Sequence, residues 1–172
     1  KVTKLTPKNK GWQALDEAGT EYKARALLLT PPVPQSLTLL GATTGDLMLS
    51  DRAALERIAY APCIAGLFAV EGGMNLPEPG ALQRPDAPIS WIGDNQRKGI
   101  SPDATIITVH ANGDFSRALW DMPEEKALAE MRGVLETYLE HGSSIIDTHL
   151  KRWRYAQPTV LHPERWLLAS GL

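Results

Sequence analysis

A stretch near the carboxyl end, LKRWRYAQP at 150–158, combines cations with two large aromatic side chains. Aromatic residues favour strands, and side chains on a strand alternate between its two faces. The stretch therefore predicts a strand on which Trp153 and Tyr155 share one face and Arg152 and Arg154 share the other. The aromatic face could wall a pocket for a ring-shaped substrate or cofactor. It could equally pack on a neighbouring helix while the arginine stems cover apolar surface, and spacing alone leaves both interpretations open.

The turn DNQRKG at 94–99 gathers an acid, two amides and two cations directly after the apolar run ISWIG. Such a turn is either a solvated hairpin connection or a loop that holds an anionic or amide-bearing ligand. His110 ends the apolar run ATIITVHA just before a loop, where a binding site can use it. A histidine satisfied inside the core explains that pattern equally well.

No residue pattern indicates a metal site or a protein nucleophile. The four histidines do not fall at the spacings of a zinc site. Cys63, the single cysteine, follows Pro62 at the start of an apolar run, which predicts a buried, inert thiol. The sequence contains no G-x-S-x-G, P-loop or G-x-G-x-x-G motif. We therefore expect neither a catalytic nucleophile nor a metal in this chain.

Length and composition set the class of protein. The 172 residues suffice for one domain with a core, or for one domain and a small piece of another. With 43% apolar residues, 22% charged residues and a net charge of −2, nothing favours nucleic acid or an anionic membrane as a partner. The longest apolar run, IAGLFAV, is far shorter than the roughly 20 residues of a membrane span. A single cysteine and the lack of a signal peptide favour the cytoplasm.

Periodicity predicts an α+β chain whose strands form meanders and hairpins. Nine apolar or alternating runs predict the strands: VTKL, KGWQALDEAG, ARALLLT, PCIAGLFAV, ISWIG, ATIITVHA, FSRALWD, SIIDTHLKRWRYAQP and WLLAS. The first three form a meander that ends in a buried strand. Asn112-Gly113 supports a hairpin between ATIITVHA and FSRALWD.

Two segments have helical spacing. Residues 50–61 predict a short helix with Ser50 or Asp51 as its N-cap. Residues 123–141 predict an amphipathic helix, because D-x-x-E at 121–124 matches a capping box ahead of an apolar face.

Six segments occur in an order and at spacings that resemble renalase and its bacterial relatives, flavoproteins of the wider amine oxidase family. The segments are LLLTPPVPQ, DRAALERIAYAPC, DNQRKG, TVHANGDF, the amphipathic helix, and KRWRYAQP followed by WLLASG. The resemblance extends over essentially the whole chain. Each motif is weak by itself, and the shared order carries the resemblance.

The resemblance implies a Rossmann-type FAD domain assembled from discontinuous segments, with a mixed-sheet substrate domain and its helices inserted between them. Residues 1–34 would belong to the FAD domain, 35–156 to the substrate domain, and 157–172 to the return strand of the FAD domain. The sequence lacks the family's G-x-G-x-x-G opening and terminal Gly-Asp segment, which supply pyrophosphate and ribitol contacts. We therefore expect an internal or carboxyl-terminal fragment with exposed apolar surface, which does not hold FAD tightly alone.

The implied activity is oxidation of the 2- and 6-dihydro isomers of NAD(P)H, with FAD as hydride acceptor and O2 as the oxidant that yields H2O2. The flavin performs the chemistry of such a reaction, while the protein stacks on the nicotinamide ring, orients it and excludes water from it. Matching motifs place Trp153 and His110 beside that ring. They place Asn95, Arg97 and Tyr155 nearby as further substrate contacts.

The same resemblance implies FAD contacts at Val2, on the strand that passes the adenine, and at Thr30 and Pro31, near the pyrophosphate. Two other hypotheses stay open. Amine oxidation, the commoner activity of the wider family, uses two facing aromatic rings, whereas Trp153 and Tyr155 are adjacent on one strand face. The third hypothesis is a substrate-domain module that binds a small molecule or a protein without catalysis.

Overall fold

The computed structural model describes residues 1–41 and 46–169. The described residues form eight strands and four α-helices, and the predicted α+β class is confirmed with two antiparallel sheets. The chain divides into two compact units, Lys1–Ala59 with Pro158–Leu172 and Tyr60–Gln157. The assignment of 1–34, 35–156 and 157–172 to an FAD domain and a substrate domain stays a prediction.

The first unit contains a three-stranded meander and two helices. Strands β1 (Val2–Lys8), β2 (Gly11–Asp16) and β3 (Glu21–Ala24) pair antiparallel in that order. Helices α1 (Val33–Leu40) and α2 (Leu49–Glu56) follow. The small core of this unit consists mainly of leucines from the strands, helices and connections: Leu5, Leu40 and Leu47 are buried, and Trp12, Ala14, Leu27, Leu29, Leu37, Leu39 and Leu55 pack on them.

The third strand of the meander lies earlier in the chain than predicted. The Asp16 carboxylate accepts hydrogen bonds from the backbone N–H groups of Ala18 and Thr20, both at 2.9 Å, and so fixes the turn that starts β3 at Glu21. Residues 25–30, the apolar part of ARALLLT, are not in a strand, and Leu28 is 83% exposed. A continuous apolar run becomes a buried strand only where other strands pair with it, and no described residue pairs with this one.

The second unit is built on a five-stranded sheet with strand order β5–β6–β7–β4–β8. The strands are β4 (Ala59–Glu71), β5 (Ala81–Gln83), β6 (Ile89–Asp94), β7 (Thr105–Ala111) and β8 (Ser144–Val160). The predicted strands PCIAGLFAV, ISWIG, ATIITVHA and SIIDTHLKRWRYAQP are therefore confirmed. One face of the sheet is covered, because Phe68, Ile92 and Val109 are fully buried in one cluster with Met131 and Leu135.

The segment FSRALWD is a helix, and the predicted hairpin is wrong. Helix α3 (Gly113–Leu119) begins after Asn112, whose side-chain oxygen accepts a hydrogen bond from the Phe115 N–H at 2.8 Å. Ser116 is fully buried, and its hydroxyl accepts from the Ile64 N–H at 3.0 Å. Asn-Gly suits a helix cap as well as a turn, and the bond from Ser116 to β4 stabilises the helix.

The two predicted helices are confirmed with different ends, whereas α1 was not predicted. Helix α2 has Met48 as its N-cap without a side-chain bond, and residues 59–61, predicted as helical, belong to β4. Helix α4 (Glu124–Leu135) has Pro123 as its N-cap without a side-chain bond. The capping box predicted at 121–124 therefore does not form.

Two further features complete the described chain. A 3-10 turn, Glu136–Tyr138, follows α4 where the prediction continued the helix to residue 141. The predicted last strand WLLAS does not form at 166–169, and its remaining residue, Ser170, lies outside the described residues. None of the described helices has the length and apolar character needed to cross a membrane.

Candidate functional site

The second face of the five-stranded sheet carries half-buried side chains, and we call it the open face. Antiparallel pairing sets Trp91 of β6 opposite His110 of β7, and Gly93 opposite Thr108. Directly opposed residues point to the same side of a sheet, so these four residues share the open face. On the neighbouring strand β4, Leu67 pairs with Thr108 and extends the face.

An ammonium group lies over a tryptophan on this face. The Nζ atom of Lys98 is 5.2 Å from the centroid of the Trp91 ring, within the range of a cation–π contact. A Cβ atom at Gly93 would lie 2.8 Å from the Trp91 Nε1 and 3.0 Å from the Lys98 Nζ. Because Gly93 has no side chain, the Trp91 indole and the Lys98 ammonium can occupy the space beside it. Among the described residues Lys98 forms no ion pair.

His110 lies half-buried in the middle of the open face. Burial lowers the pKa of its imidazole below the usual value, and the positive charge of Lys98 lowers it further. The imidazole is therefore neutral at neutral pH. A neutral imidazole offers a ligand one hydrogen-bond donor and one acceptor.

Asn95 is held at the edge of the open face. Its side-chain Nδ2 donates to the hydroxyl of Thr108 at 2.9 Å, two residues from His110 along β7. The structure therefore places Asn95 against β7 close to His110, and a shared contact with substrate stays a prediction.

Arg97 belongs to the same turn but points to the 74–80 loop. Its guanidinium donates to the carbonyl oxygen of Leu76 at 3.3 Å and lies 3.6 Å from carboxylate oxygens of Glu78 and Asp94. The buried Asp94 carboxylate also accepts from the backbone N–H of Arg97 at 3.2 Å. Arg97 thus tethers a loop in this structure, and its predicted contact with substrate stays a prediction.

The aromatics of β8 lie on the same side of the sheet as the open face. Leu150 is buried in the covered core, and Arg152 donates to two carbonyls of the α3–α4 connection at 2.7 and 3.1 Å. By alternation, Trp153 and Tyr155 point to the opposite side. Trp153 is 59% exposed, and the Tyr155 ring meets the Tyr60 ring edge to face at 5.7 Å.

Cys63 is half-buried rather than buried as predicted. Burial raises the pKa of its thiol, which is therefore protonated at neutral pH. No group of three or more histidine, cysteine, aspartate or glutamate residues in the described ranges could hold a metal ion.

The residues predicted to contact FAD lie in the first unit. Val2 begins β1 and is 37% exposed, and Thr30 and Pro31 are exposed in the connection before α1. The Pro31 carbonyl accepts a hydrogen bond from the Ser36 hydroxyl at 3.0 Å. Their contact with FAD stays a prediction.

Sequence reasoning missed Trp91, Lys98 and Thr108. The alternation of β6 and β7 already assigns Trp91 and Thr108 to faces of their strands. Only the register between these strands sets Trp91 opposite His110, and register is a property of the folded sheet.

No protein-family model matches the chain. Among solved structures, the PF1083 protein from Pyrococcus furiosus is similar with a TM-score of 0.55 and 15% identity, covering 95% of this chain and 38% of that one. Reduced UDP-galactopyranose mutase is similar with a TM-score of 0.59 and 13% identity, covering 86% of this chain and 32% of that one. The chain therefore spans about a third of the length of these structures. At such identities the similarity shows the fold alone, and the resemblance to renalase stays a prediction.

Proposed function

We propose that the chain is the substrate-binding part, with a portion of the FAD domain, of a renalase-like oxidase of 2- and 6-dihydro NAD(P)H isomers. When bound, FAD would accept the hydride of the dihydronicotinamide ring and O2 would take both electrons to give H2O2. The fold similarity to UDP-galactopyranose mutase, a flavoprotein, supports a flavoenzyme. The observation that carries the proposal is the combination, on one sheet face, of the Trp91 ring, a neutral imidazole and the Lys98 ammonium, which forms no ion pair within the described residues.

The ring of the substrate suits the aromatic part of the open face. A dihydronicotinamide ring is flat, uncharged and carries a carboxamide. Trp91 offers flat apolar area, and His110 and Asn95 offer the donors and acceptors that a carboxamide needs, whereas Trp153 lies on β8, two strands beyond β7 in the sheet.

The anionic part of the substrate suits Lys98. The diphosphate of a dinucleotide carries negative charge next to its aromatic groups. Lys98 has no carboxylate partner among the described residues, so its charge is available for charge-assisted hydrogen bonds to phosphate oxygens.

Oxidation of a true amine is less compatible with this face. An amine substrate is a cation at neutral pH. The charge of Lys98 already lowers the pKa of His110, which means that a second positive charge on this face is disfavoured. A module that binds ligand without catalysis would use the same face, and only an assay of the reaction separates that hypothesis from the proposal.

The first experiment is ligand binding to the 172-residue chain, with NADH as the probe because its ring is uncharged like that of the isomers. NADH fluorescence is followed on titration of the wild-type chain, K98Q and the surface control K126Q. We expect binding by the wild type and by K126Q, and binding about fivefold weaker by K98Q, the value of one exposed ion pair near 1 kcal/mol. Equal affinity in all three proteins, or binding of benzylamine in preference to NADH, would contradict the proposal.

The second experiment separates oxidase from binding module. Peroxide is measured with each dihydro isomer and with benzylamine, using the chain with added FAD and a longer protein that also carries a G-x-G-x-x-G segment. We expect peroxide from a dihydro isomer in the longer protein only. If no isomer yields peroxide, the oxidase proposal is wrong and the non-catalytic binding module is the remaining hypothesis. Tight FAD binding by the chain alone would show that its FAD site is complete.

A further inference from the structure

The end of the meander in the first unit holds a groove of about 550 Å³. Four of the described residues that line it are cations and one is an acid: Lys8, Lys10, Lys23, Arg25 and Glu21. The cations come from two segments, 8–10 and 23–25, and pairing of β1 and β3 with β2 brings the two segments together. This is a concentration of positive charge in a chain whose net charge is −2.

The middle strand forms the floor of the groove. Gly11 of β2 pairs with Lys8 of β1, and Gln13 of β2 pairs with Lys23 of β3. Neighbouring strands lie about 4.8 Å apart. The cations of β1 and β3 therefore lie on the two sides of the groove, which we call its walls, roughly 10 Å apart. The side-chain amide of Gln13, half-buried between them, adds a polar group to the floor.

Glycine at position 11 lets β2 approach β3 closely. Gly11 has a φ of +141°, which L side chains rarely adopt, and a Cβ atom there would collide with the Ala24 carbonyl oxygen. The close approach of β2 and β3 therefore excludes a side chain at position 11.

The cations of the groove are not neutralised by the protein. Lys8, Lys10, Lys23 and Arg25 are exposed and form no ion pair within the described residues. Cations held on two walls without carboxylate partners repel one another. An anion that reaches both walls would relieve that repulsion.

We propose that this groove binds linked phosphates, the diphosphate or triphosphate of a small molecule. The volume lies within the roughly 300–1,000 Å³ of small-molecule sites. A single carboxylate reaches one wall, whereas linked phosphates carry charges several ångströms apart and reach both. Arg25 can bind phosphate oxygens in a bidentate fashion. The site uses none of the residues of the open face, so it stands apart from the proposed oxidase function.

Calorimetric titration of the whole chain with inorganic pyrophosphate tests this site. We expect saturable binding of one pyrophosphate, and at least fivefold weaker binding of inorganic phosphate, which reaches one wall. The double variant K23Q/R25Q should bind pyrophosphate about 25-fold more weakly, the value of two exposed ion pairs of about fivefold each. E21Q should bind it more tightly, because Glu21 is the one acid among the described residues that line the groove.

The double variant K126Q/R165Q controls for the change in net charge, since both residues are exposed elsewhere in the chain. It should bind pyrophosphate like the wild type. ADP shows whether a nucleoside adds affinity to the diphosphate. Equal weakening in both double variants, no saturation, or binding of a DNA oligonucleotide without binding of pyrophosphate would overturn the proposal.

Discussion

His110 is the titratable residue of the open face whose surroundings are best defined. Its pKa is lowered by burial and by Lys98, so the unfolded chain binds this proton at a higher pH than the folded chain does. The free energy of unfolding should therefore fall as the pH drops below the ordinary histidine value of about 6.5, until the lower folded pKa is passed.

Replacement of His110 by Gln removes that proton-binding difference. We expect the free energy of unfolding of H110Q to depend less on pH than that of the wild type between pH 7.5 and 5. Urea unfolding at several pH values measures the difference. H149Q, which replaces an exposed histidine, serves as the control. A wild-type curve no steeper than that of H110Q would show that the imidazole is not desolvated.

Lys98 acts on the same imidazole from the neighbouring turn. Its replacement by Gln removes a positive charge, so the pKa of His110 should rise in K98Q. NMR titration of the imidazole Cε1–H signal measures this pKa directly. K126Q, far along the chain on α4, should leave it unchanged. An unchanged pKa in K98Q would place the ammonium away from the open face.

At the scale of elements, Asn112 caps helix α3. N112A loses the cap on the Phe115 N–H and also the bond from its Nδ2 to the Ala87 carbonyl at 3.0 Å. We expect the free energy of unfolding to fall by about 1 kcal/mol. N112D keeps the cap oxygen and loses only the Nδ2 donor, so its free energy of unfolding, measured by urea, should fall less than that of N112A. A free energy of unfolding that is the same in N112A and the wild type would argue against the cap.

Ser116 joins α3 to β4. In S116A the buried Ile64 N–H has no acceptor, and burial of an unpaired donor costs about 1–3 kcal/mol. Chemical denaturation should show that loss. T137A removes an exposed hydroxyl that also bonds a helical carbonyl, and it should change stability by less than about 0.5 kcal/mol. An equal loss of stability in S116A and T137A would contradict the inferred role of the bond between Ser116 and the Ile64 N–H.

At the scale of the whole molecule, several large apolar side chains of the first unit are exposed. Leu28 is 83% exposed, Leu168 79% and Trp166 68%. Exposed apolar surface promotes association. We expect concentration-dependent self-association in sedimentation velocity, reduced in L28S/L168S with stability unchanged within about 0.5 kcal/mol. I146S, an exposed site in the other unit, is the control. A wild-type chain that stays monomeric at high concentration would contradict this expectation.

The sequence by itself determined the features that depend on neighbouring residues. Apolar or alternating runs predicted β4, β6, β7 and β8, and a 3.6-residue period predicted α4, because each pattern lies within its own segment. That His110 and Asn95 bind one substrate stays a prediction.

Tertiary structure decided the features that depend on distant partners. Asn112-Gly113 serves a turn or a helix cap equally well, and the bond between Ser116 and Ile64 stabilises the helix. ARALLLT is strand-like in composition, but no described strand pairs with it. Register alone sets Trp91 opposite His110 and Gln13 opposite Lys23, since a shift of one residue would turn each side chain to the other face of its sheet.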